Sequence, residues 1–570
     1  MYIENINSPK DIKELSVEQL SVLAEEVRTA LIRKLSEHGG HIGPNLGMVE
    51  TTIALHYVFN SPIDKIVFDV SHQSYVHKML TGRMAAFLDP AKYDDVTGYT
   101  NPDESEHDFF TIGHTSTSVS LAMGLAKGRD LTGGKENIIA VIGDGSLSGG
   151  EALEGLNNTA MLGSNMIIIV NDNDQSIAEN HGGLYKGLKE LRDTNGESPD
   201  NIFKAMGLEY YYLGDGHDVS ALIKLFTSVK DIDRAVVLHI HTIKGKGLKY
   251  AEENKEYWHA GGPFHIEDGS PKGPGWPVNE TVRESVLDLI EKRSDVVAIT
   301  AGTPSVLGFT EDYRKRAGKQ FADVGIAEEH AVAMASGIAR NGGTPIFGVF
   351  SPFLQRTYDQ LSSDLCLNNN PAVIMVFMAS VYGMNSNTHL GIYDIPMISH
   401  IPNLVYLAPT SKEEYLAMFK YATTQKAHPI AIRIPMMMPE TGIEDTTDYS
   451  LLNKYQVVRK GSGVAIIALG DFFELGVQIA DKYKILTGND VTLINPKFIT
   501  GIDEELLECL KTDHKLVLTL EDGIVEGGFG QTIASFYGLS DMKVKNYGIK
   551  KSFPTDFRPE ELMRENGLSV

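Results

Sequence analysis

The sequence predicts an α/β protein built from three doubly wound domains, and three observations carry that expectation. Apolar runs of strand length recur along the chain and alternate with stretches of helical spacing, the pattern that builds parallel sheets covered by helices. Several of these runs end in glycine-rich polar loops, the place where open parallel sheets bind ligands. At 570 residues the chain exceeds what one core holds, and a prior of about 150 residues per domain divides it into three or four.

Residues 1 to about 60 read as helical, with Leu20, Leu23, Val27, Leu31 and Leu35 at roughly helical spacing, and then come Gly39, Gly40 and His41. A histidine in so glycine-rich a loop is open to whatever approaches the backbone, either as a site residue or as a brace for the loop. Residues 66–70 read as a buried strand running into His72, and Gly113-His114-Thr115-Ser116 opens a helix with a hydroxyl-rich turn.

The central unit follows. The run at 138–142 ends in Gly143-Asp144-Gly145-Ser146, a helix with glutamates in its first turns comes next, and the run at 166–170 ends in Asn171-Asp172-Asn173-Asp174-Gln175. A strand, helix, strand unit places Asp144 and Asn173 at one crevice. A carboxylate and an amide oxygen suit Mg²⁺, which takes one or two protein carboxylates and fills its octahedron with water and substrate phosphates. The pair therefore predicts a diphosphate ligand, which the glycines let the backbone approach and the start of the helix supplies with N–H donors. Alone, Gly-Asp-Gly is more often a turn; Asn173 at the end of the next strand reverses the balance. A further strand at 235–240 leads to Lys244-Gly245-Lys246-Gly247, which suits a phosphate about as well as a solvated turn.

Residues 271–277, Pro-Lys-Gly-Pro-Gly-Trp-Pro, break all periodicity and read as a linker. Beyond it, runs at 296–300, 344–350, 372–377, 404–407 and 430–434 predict a second parallel sheet. Glu328 follows three apolar positions and opens a small-residue helix, where desolvation would raise its proton affinity. A third block begins near Tyr455, with runs at 464–469, 491–494 and 516–520, and carries no polar constellation of its own, so it is expected to be structural or interfacial. The expected domains are residues 1–278, 279–454 and 455–570.

A net charge of −24, from 51 basic and 75 acidic residues, argues against nucleic acid or an anionic membrane surface as partner. The longest apolar runs are of strand length and the N-terminus is polar, so neither a signal peptide nor a membrane span is expected. Two cysteines, Cys366 and Cys509, are too few for a disulfide framework, in keeping with a cytoplasmic location.

Taken together, these residues resemble the thiamine-diphosphate enzymes of the transketolase class, most closely the 1-deoxy-D-xylulose-5-phosphate synthases. The likeness covers nearly the whole chain. It rests on Gly39-Gly40-His41, residues 54–60, His72-Gln73-Ser74-Tyr75 with Lys78 and Thr81-Gly82-Arg83, residues 113–118, 143–176 and 323–332, and Phe353-Leu354-Gln355-Arg356 with Tyr358-Asp359-Gln360. The resemblance implies a transketolase-like thiamine-diphosphate-binding fold of diphosphate-binding, pyrimidine-binding and C-terminal domains, a homodimer, and a site in the crevice between the first two domains. It implies that Asp144, Asn173 and the backbone of Gln175 hold Mg²⁺ on thiamine diphosphate. His72, Gly113, His114, Ser116, Gly143, Gly145, Ser146 and Lys244 would line the cofactor, and Phe353 would stack on its pyrimidine. Glu328 would hydrogen-bond the aminopyrimidine, and His41, His259, His389 and Arg356 would serve the chemistry.

The departures lie on one side of that site. Where the synthases carry Asp-Arg-Ala-Gly, Gly-Ala-Asp-Gly and Tyr-Pro-Arg-Gly, this chain has Met378, Asn385 and Met436 in place of the two arginines and the aspartate, and Phe350 replaces a tyrosine. The family uses those arginines for the acceptor's phosphate, and methionine cannot replace a bidentate guanidinium. Arg356 and Arg433 stand nearby in sequence as other cations. The stretch at 183–201 is also shorter than in the family. The expected activity is a carboligation in which pyruvate is decarboxylated and its two-carbon unit passes to an aldehyde. The alternatives are a paralogue with a different, unphosphorylated acceptor, a transketolase-type ketol transfer, and a non-catalytic cofactor-binding protein. The presence of Asp144, Asn173 and Glu328 together speaks against the last.

Overall fold

A computed structural model describes residues 1–273, 279–384, 386–555 and 557–568. The chain forms two compact units, residues 1–277 with 325–327, and residues 278–324 with 328–570. Residues 274–277 of the expected linker, and Asn385, lie outside the described residues.

The first unit is organised on a five-stranded, fully parallel sheet in the spatial order Lys65–Phe68, Ile138–Gly143, Met166–Asp172, Ala235–His241, Glu209–Leu213. Side chains alternate across a strand, and the sequence uses both faces. Ile138, Ala140 and Ile142 pack with Val119, Ala122 and Leu156 on one side. Ile139 and Val141 pack with Leu55, Leu222 and Phe226 on the other. Strands buried on both faces read as unbroken apolar runs, which is why these were visible in the sequence. The edge strand Glu209–Leu213 was not, because its Glu-Tyr-Tyr-Tyr-Leu residues are half solvated.

The helix Val17–His38 begins at a Ser16/Gln19 capping box and stops at Gly39, whose φ of +81° suits glycine. A Cβ there would sit 2.6 Å from the Gly261 carbonyl oxygen. That close approach lets Gly40–His41 pair antiparallel with Ala260–Gly261, so a two-residue ribbon sets His41 beside the end of a segment more than 200 residues away.

The second unit contains two sheets. One has six parallel strands in the order Val405–Leu407, Ile430–Arg433, Val373–Phe377, Thr344–Phe350, Val296–Thr300, Phe321–Asp323. The other runs Gln456–Arg459, Thr492–Asn495, Gly463–Ala468, His514–Ile524, Lys543–Ile549, with only Gln456–Arg459 antiparallel. A single apolar cluster includes Ile299 and Ile374 of the first sheet and Ile467 and Val517 of the second, which makes them one body.

The third block lacks a polar constellation of its own but contributes buried acids to one shared with residues 279–454. Arg433, 3% exposed, donates from Nε to Asp394 Oδ2 at 2.8 Å and from Nη1 to Asp522, while Tyr406 Oη donates to Asp394. Asp471 accepts from the Met436 backbone N–H at 3.1 Å, and Glu521 caps the helix Phe529–Tyr537 through the N–H groups of Phe529 and Gly530. Glu521 and Asp522 are adjacent, but Asp394 and Asp471 each stand apart in sequence, and only the topology gathers them. Arg433→Ala should leave Asp394 and Asp522 buried without their cation and destabilise the second unit by about 3–5 kcal/mol. Chemical denaturation followed by a second-unit probe reads this, and an unchanged midpoint would show that the cluster holds no net stability.

Candidate functional site

In the first unit the site grows from two adjacent strand ends. Asp144 follows Ile138–Gly143 and is 1% exposed. Its Oδ2 accepts from the Gln175 N–H at 3.0 Å and from Asn180 Nδ2 at 2.7 Å. A 3₁₀ turn at Gly145–Ser148 precedes the helix Gly150–Thr159, which carries Glu151 in its first turn as the sequence suggests. Burial, reinforced by the charge of Asp172, pushes the Asp144 carboxyl up to about 7. Asn173 directly follows the neighbouring strand Met166–Asp172 with its Oδ1 buried and unsatisfied, while its backbone carbonyl accepts from Lys255 Nζ at 3.0 Å. Lys244 is buried, and its Nζ donates to the Ser176 carbonyl. Burial lowers the Lys244 ammonium to about 7 against the pull of Asp144.

A buried carboxylate beside an unsatisfied amide oxygen is a donor set for a divalent cation, and the buried ammonium suits the anion such a cation carries. Among the described residues no cluster of three or more His, Cys, Asp or Glu is disposed to hold a metal. A set of one carboxylate, one amide oxygen and one backbone carbonyl needs no such cluster, so the residues present fit a magnesium diphosphate.

The turn before the helix Ser118–Thr132 is held by Asp69, whose two carboxylate oxygens accept from the N–H groups of Ser116 and Ser118 at 2.8 and 2.9 Å. Ser116 adopts φ +76° and its Oγ donates to the Ser146 carbonyl at 2.8 Å, which joins this turn to the Asp144 loop. Gly113 is buried in the same turn and His114 half-buried. Asp69 is not among the expected site residues, although an acid closing an apolar run is a signal for it. Neither are Asn180 and Lys255, for which no spacing gives one.

The ribbon brings three histidines together, with ring centroids of His41, His72 and His259 between 5.1 and 5.9 Å apart and Tyr99 edge-on to His41 at 5.6 Å. Burial, with the Lys244 charge adding to it, lowers His41 to about 4 and His259 well below the ordinary imidazole value. Both carry a buried Nδ1 without a hydrogen-bond partner. Neutral imidazoles of this kind can take up a proton from a bound substrate or accept its hydrogen bond.

The second unit holds another group. Glu328 opens the helix Glu328–Arg340, 3% exposed, with Oε2 lacking a hydrogen bond and Arg356 Nη1 at 3.6 Å. Burial pushes its carboxyl up to about 7, with Arg356 opposing. Phe353 lies in the turn after Thr344–Phe350 and meets His389 at 5.5 Å and Phe350 at 5.8 Å between ring centroids. His389 Nδ1 stands 3.1 Å from Ser386 Oγ and 3.0 Å from Thr388 Oγ1. Met378 closes its strand at φ +53°, and Arg433 is committed to two aspartates.

The histidine cluster yields a pH prediction. His41 binds its proton more weakly folded than unfolded, so its contribution to stability is intact above about pH 6.5 and is lost as pH falls toward 4. Across that window the loss is on the order of 3 kcal/mol. Thermal melts of cofactor-free wild type and His41→Asn from pH 7 to 4 should therefore converge on acidification, and parallel curves would contradict the assignment.

Comparison with known proteins gives three domain matches: 1-deoxy-D-xylulose-5-phosphate synthase over residues 3–198 and 193–242, the transketolase pyrimidine-binding domain over 277–439, and the transketolase C-terminal domain over 453–570. The 1-deoxy-D-xylulose-5-phosphate synthase of Carboxydothermus hydrogenoformans is 36% identical, with 100% of this chain and 97% of that one covered. That of Shouchella clausii is 38% identical over 100% and 97%. Among solved structures, a transketolase from Leishmania mexicana is similar at a TM-score of 0.41 and 15% identity, covering 97% of this chain and 96% of that one.

Proposed function

Since the chain belongs to the 1-deoxy-D-xylulose-5-phosphate synthase family, we propose that it is a thiamine-diphosphate- and Mg²⁺-dependent transferase that decarboxylates pyruvate and passes the two-carbon unit to an aldehyde. The observation that carries this is the pairing of buried Asp144 with the unsatisfied Oδ1 of Asn173 at adjacent strand ends. In this reading Asp144, Asn173 and the Gln175 carbonyl hold Mg²⁺, and Lys244 faces the diphosphate. His72, Gly113, His114, Ser116, Gly143, Gly145 and Ser146 shape the cradle around it. The bound cofactor supplies the carbon nucleophile and the electron sink for decarboxylation.

Glu328 holds a proton at a carboxyl whose affinity lies near neutrality, so it can share that proton with a pyrimidine nitrogen, and Phe353 packs the ring. Arg356 orients Glu328, while His41, His259 and His389 move or accept protons at the substrate carbonyl and hydroxyl. The proposal includes domains at residues 1–278, 279–454 and 455–570, a homodimer, and a cytoplasmic location in keeping with two free cysteines. Among the described residues no helix is long and apolar enough to cross a membrane.

Titration with thiamine diphosphate, with and without Mg²⁺, followed by pyruvate-dependent CO₂ release, tests the reading. Asp144→Ala should abolish Mg²⁺-dependent binding, and unchanged calorimetric affinity would remove the metal assignment. Glu328→Ala should keep binding and lose turnover, because its interaction matters in activating the cofactor. A normal rate of CO₂ release would mean that the wrong carboxylate was chosen.

A second reading, favoured by the commitment of Arg433 and by Met378 and Met436, is that the acceptor carries no phosphate. Two lost charge-assisted hydrogen bonds of roughly 1.5–3 kcal/mol each weaken a phosphorylated acceptor by about two to four powers of ten. Steady-state comparison at saturating pyruvate should rank unphosphorylated aldehydes above glyceraldehyde 3-phosphate. Micromolar saturation by the phosphorylated aldehyde would restore the plain synthase reading.

A further inference from the structure

The shortened stretch after the Asp144–Asn173 crevice forms the helix Gly183–Asp193, and that helix reaches both strand ends. Its apolar face, with Tyr185, Leu188 and Leu191, is buried against the sheet. From the first turn Tyr185 Oη donates to the Gly145 carbonyl at 3.2 Å, next to Asp144. From the last turn Arg192 reaches the other strand end, where Nη1 donates to Asp172 Oδ2 at 2.6 Å and Nη2 to Asp174 Oδ1 at 2.7 Å.

One planar guanidinium thus grips the residues on both sides of Asn173. The backbone there needs holding, since Asp174 sits at φ +59°, a conformation of some cost to a non-glycine residue. Asp172 is further fixed by His239 Nε2 at 2.8 Å, and its Oδ1 accepts the Asp174 N–H at 3.1 Å. Between these clamps Asn173 leaves its Oδ1 buried and unsatisfied.

We propose that the helix Gly183–Asp193 is a strap, and Arg192 a positioning residue, that hold the Asn173 oxygen in place for the magnesium diphosphate before the cofactor arrives. This rests on the reading of Asp144 and Asn173 as cofactor ligands. Preorganisation of this kind acts on affinity, because the ordering of the loop is not left to the moment of binding. A purely structural role for Arg192, neutralising buried Asp172, makes a different prediction. It is served equally well by lysine and does not involve Asp174, whose side chain is 57% exposed.

Calorimetry of thiamine diphosphate at fixed Mg²⁺, and of Mg²⁺ at saturating thiamine diphosphate, on the full-length chain separates the two. Arg192→Lys keeps a cation at Asp172 but not the fork, and Asp174→Asn removes the charge from one arm at an exposed site while keeping a residue type that tolerates the left-handed backbone. Each should raise the dissociation constant by roughly 10–100-fold, the usual effect of groups that orient a metal ligand. Amide hydrogen exchange at residues 173–176 of the cofactor-free protein should quicken in both. Wild-type affinity in both variants, even with a lowered melting temperature, overturns the strap. Asp144→Ala is the control: if it binds the cofactor normally, the ligand assignment fails and the strap with it, whereas abolished binding there with normal binding in the Arg192 and Asp174 variants removes the strap alone.

Discussion

A carboxylate cut off from water must be offset by hydrogen bonds, by a cation or by a proton, and the first unit is arranged around that requirement at Asp144. Two donors reach one of its oxygens, from the Gln175 backbone and the Asn180 amide. Buried Lys244 supplies a distant positive charge, and Asp172 a negative one that works against it. Protein groups alone leave the account open, with Asp144 and Lys244 both displaced toward neutrality. A divalent cation in this place would favour the charged carboxylate, and the diphosphate it brings would favour the charged ammonium. Cofactor binding and the ionisation of these side chains are then one event.

The second unit repeats the theme with a different solution. Glu328 has an arginine near it but at 3.6 Å, too far for a good hydrogen bond, so its proton affinity stays close to neutrality. Arg433 is the contrary case, an arginine locked between two aspartates that already neutralise its charge. Burial alone does not separate these two arrangements. The distance of the guanidinium from its carboxylate does, leaving one carboxyl able to exchange a proton and making the other a fixed strut.

Most of the sheet was legible in the sequence because strands buried on both faces cannot hide polar residues, as at 138–142 and 166–170. Edge strands such as Glu209–Leu213 and Lys543–Ile549 alternate with solvent and gave no such run. The Asp144 and Asn173 positions were legible because each closes a strand of one local unit. Groups that act from a distance were not. Asn180, Lys255 and the paired grip of Arg192 depend on how loops fold back, and the acids around Arg433 come from segments more than 100 residues apart in sequence, such as Asp394 and Asp522.

The ribbon between Gly40–His41 and Ala260–Gly261 has a consequence for the order of assembly. The residues it joins are more than 200 apart in sequence, and the entropy of closing so long a loop grows only slowly, by about 0.6 kcal/mol for each doubling of length. Thermodynamically the closure is affordable, but in time it comes last. On a ribosome the long N-terminal helix and four of the five sheet strands emerge well before Ala260, and His41 has no histidine partner from the far end until then. The cluster of His41, His72 and His259 is therefore a late product of synthesis, completed when a segment near the end of the unit folds back onto its start.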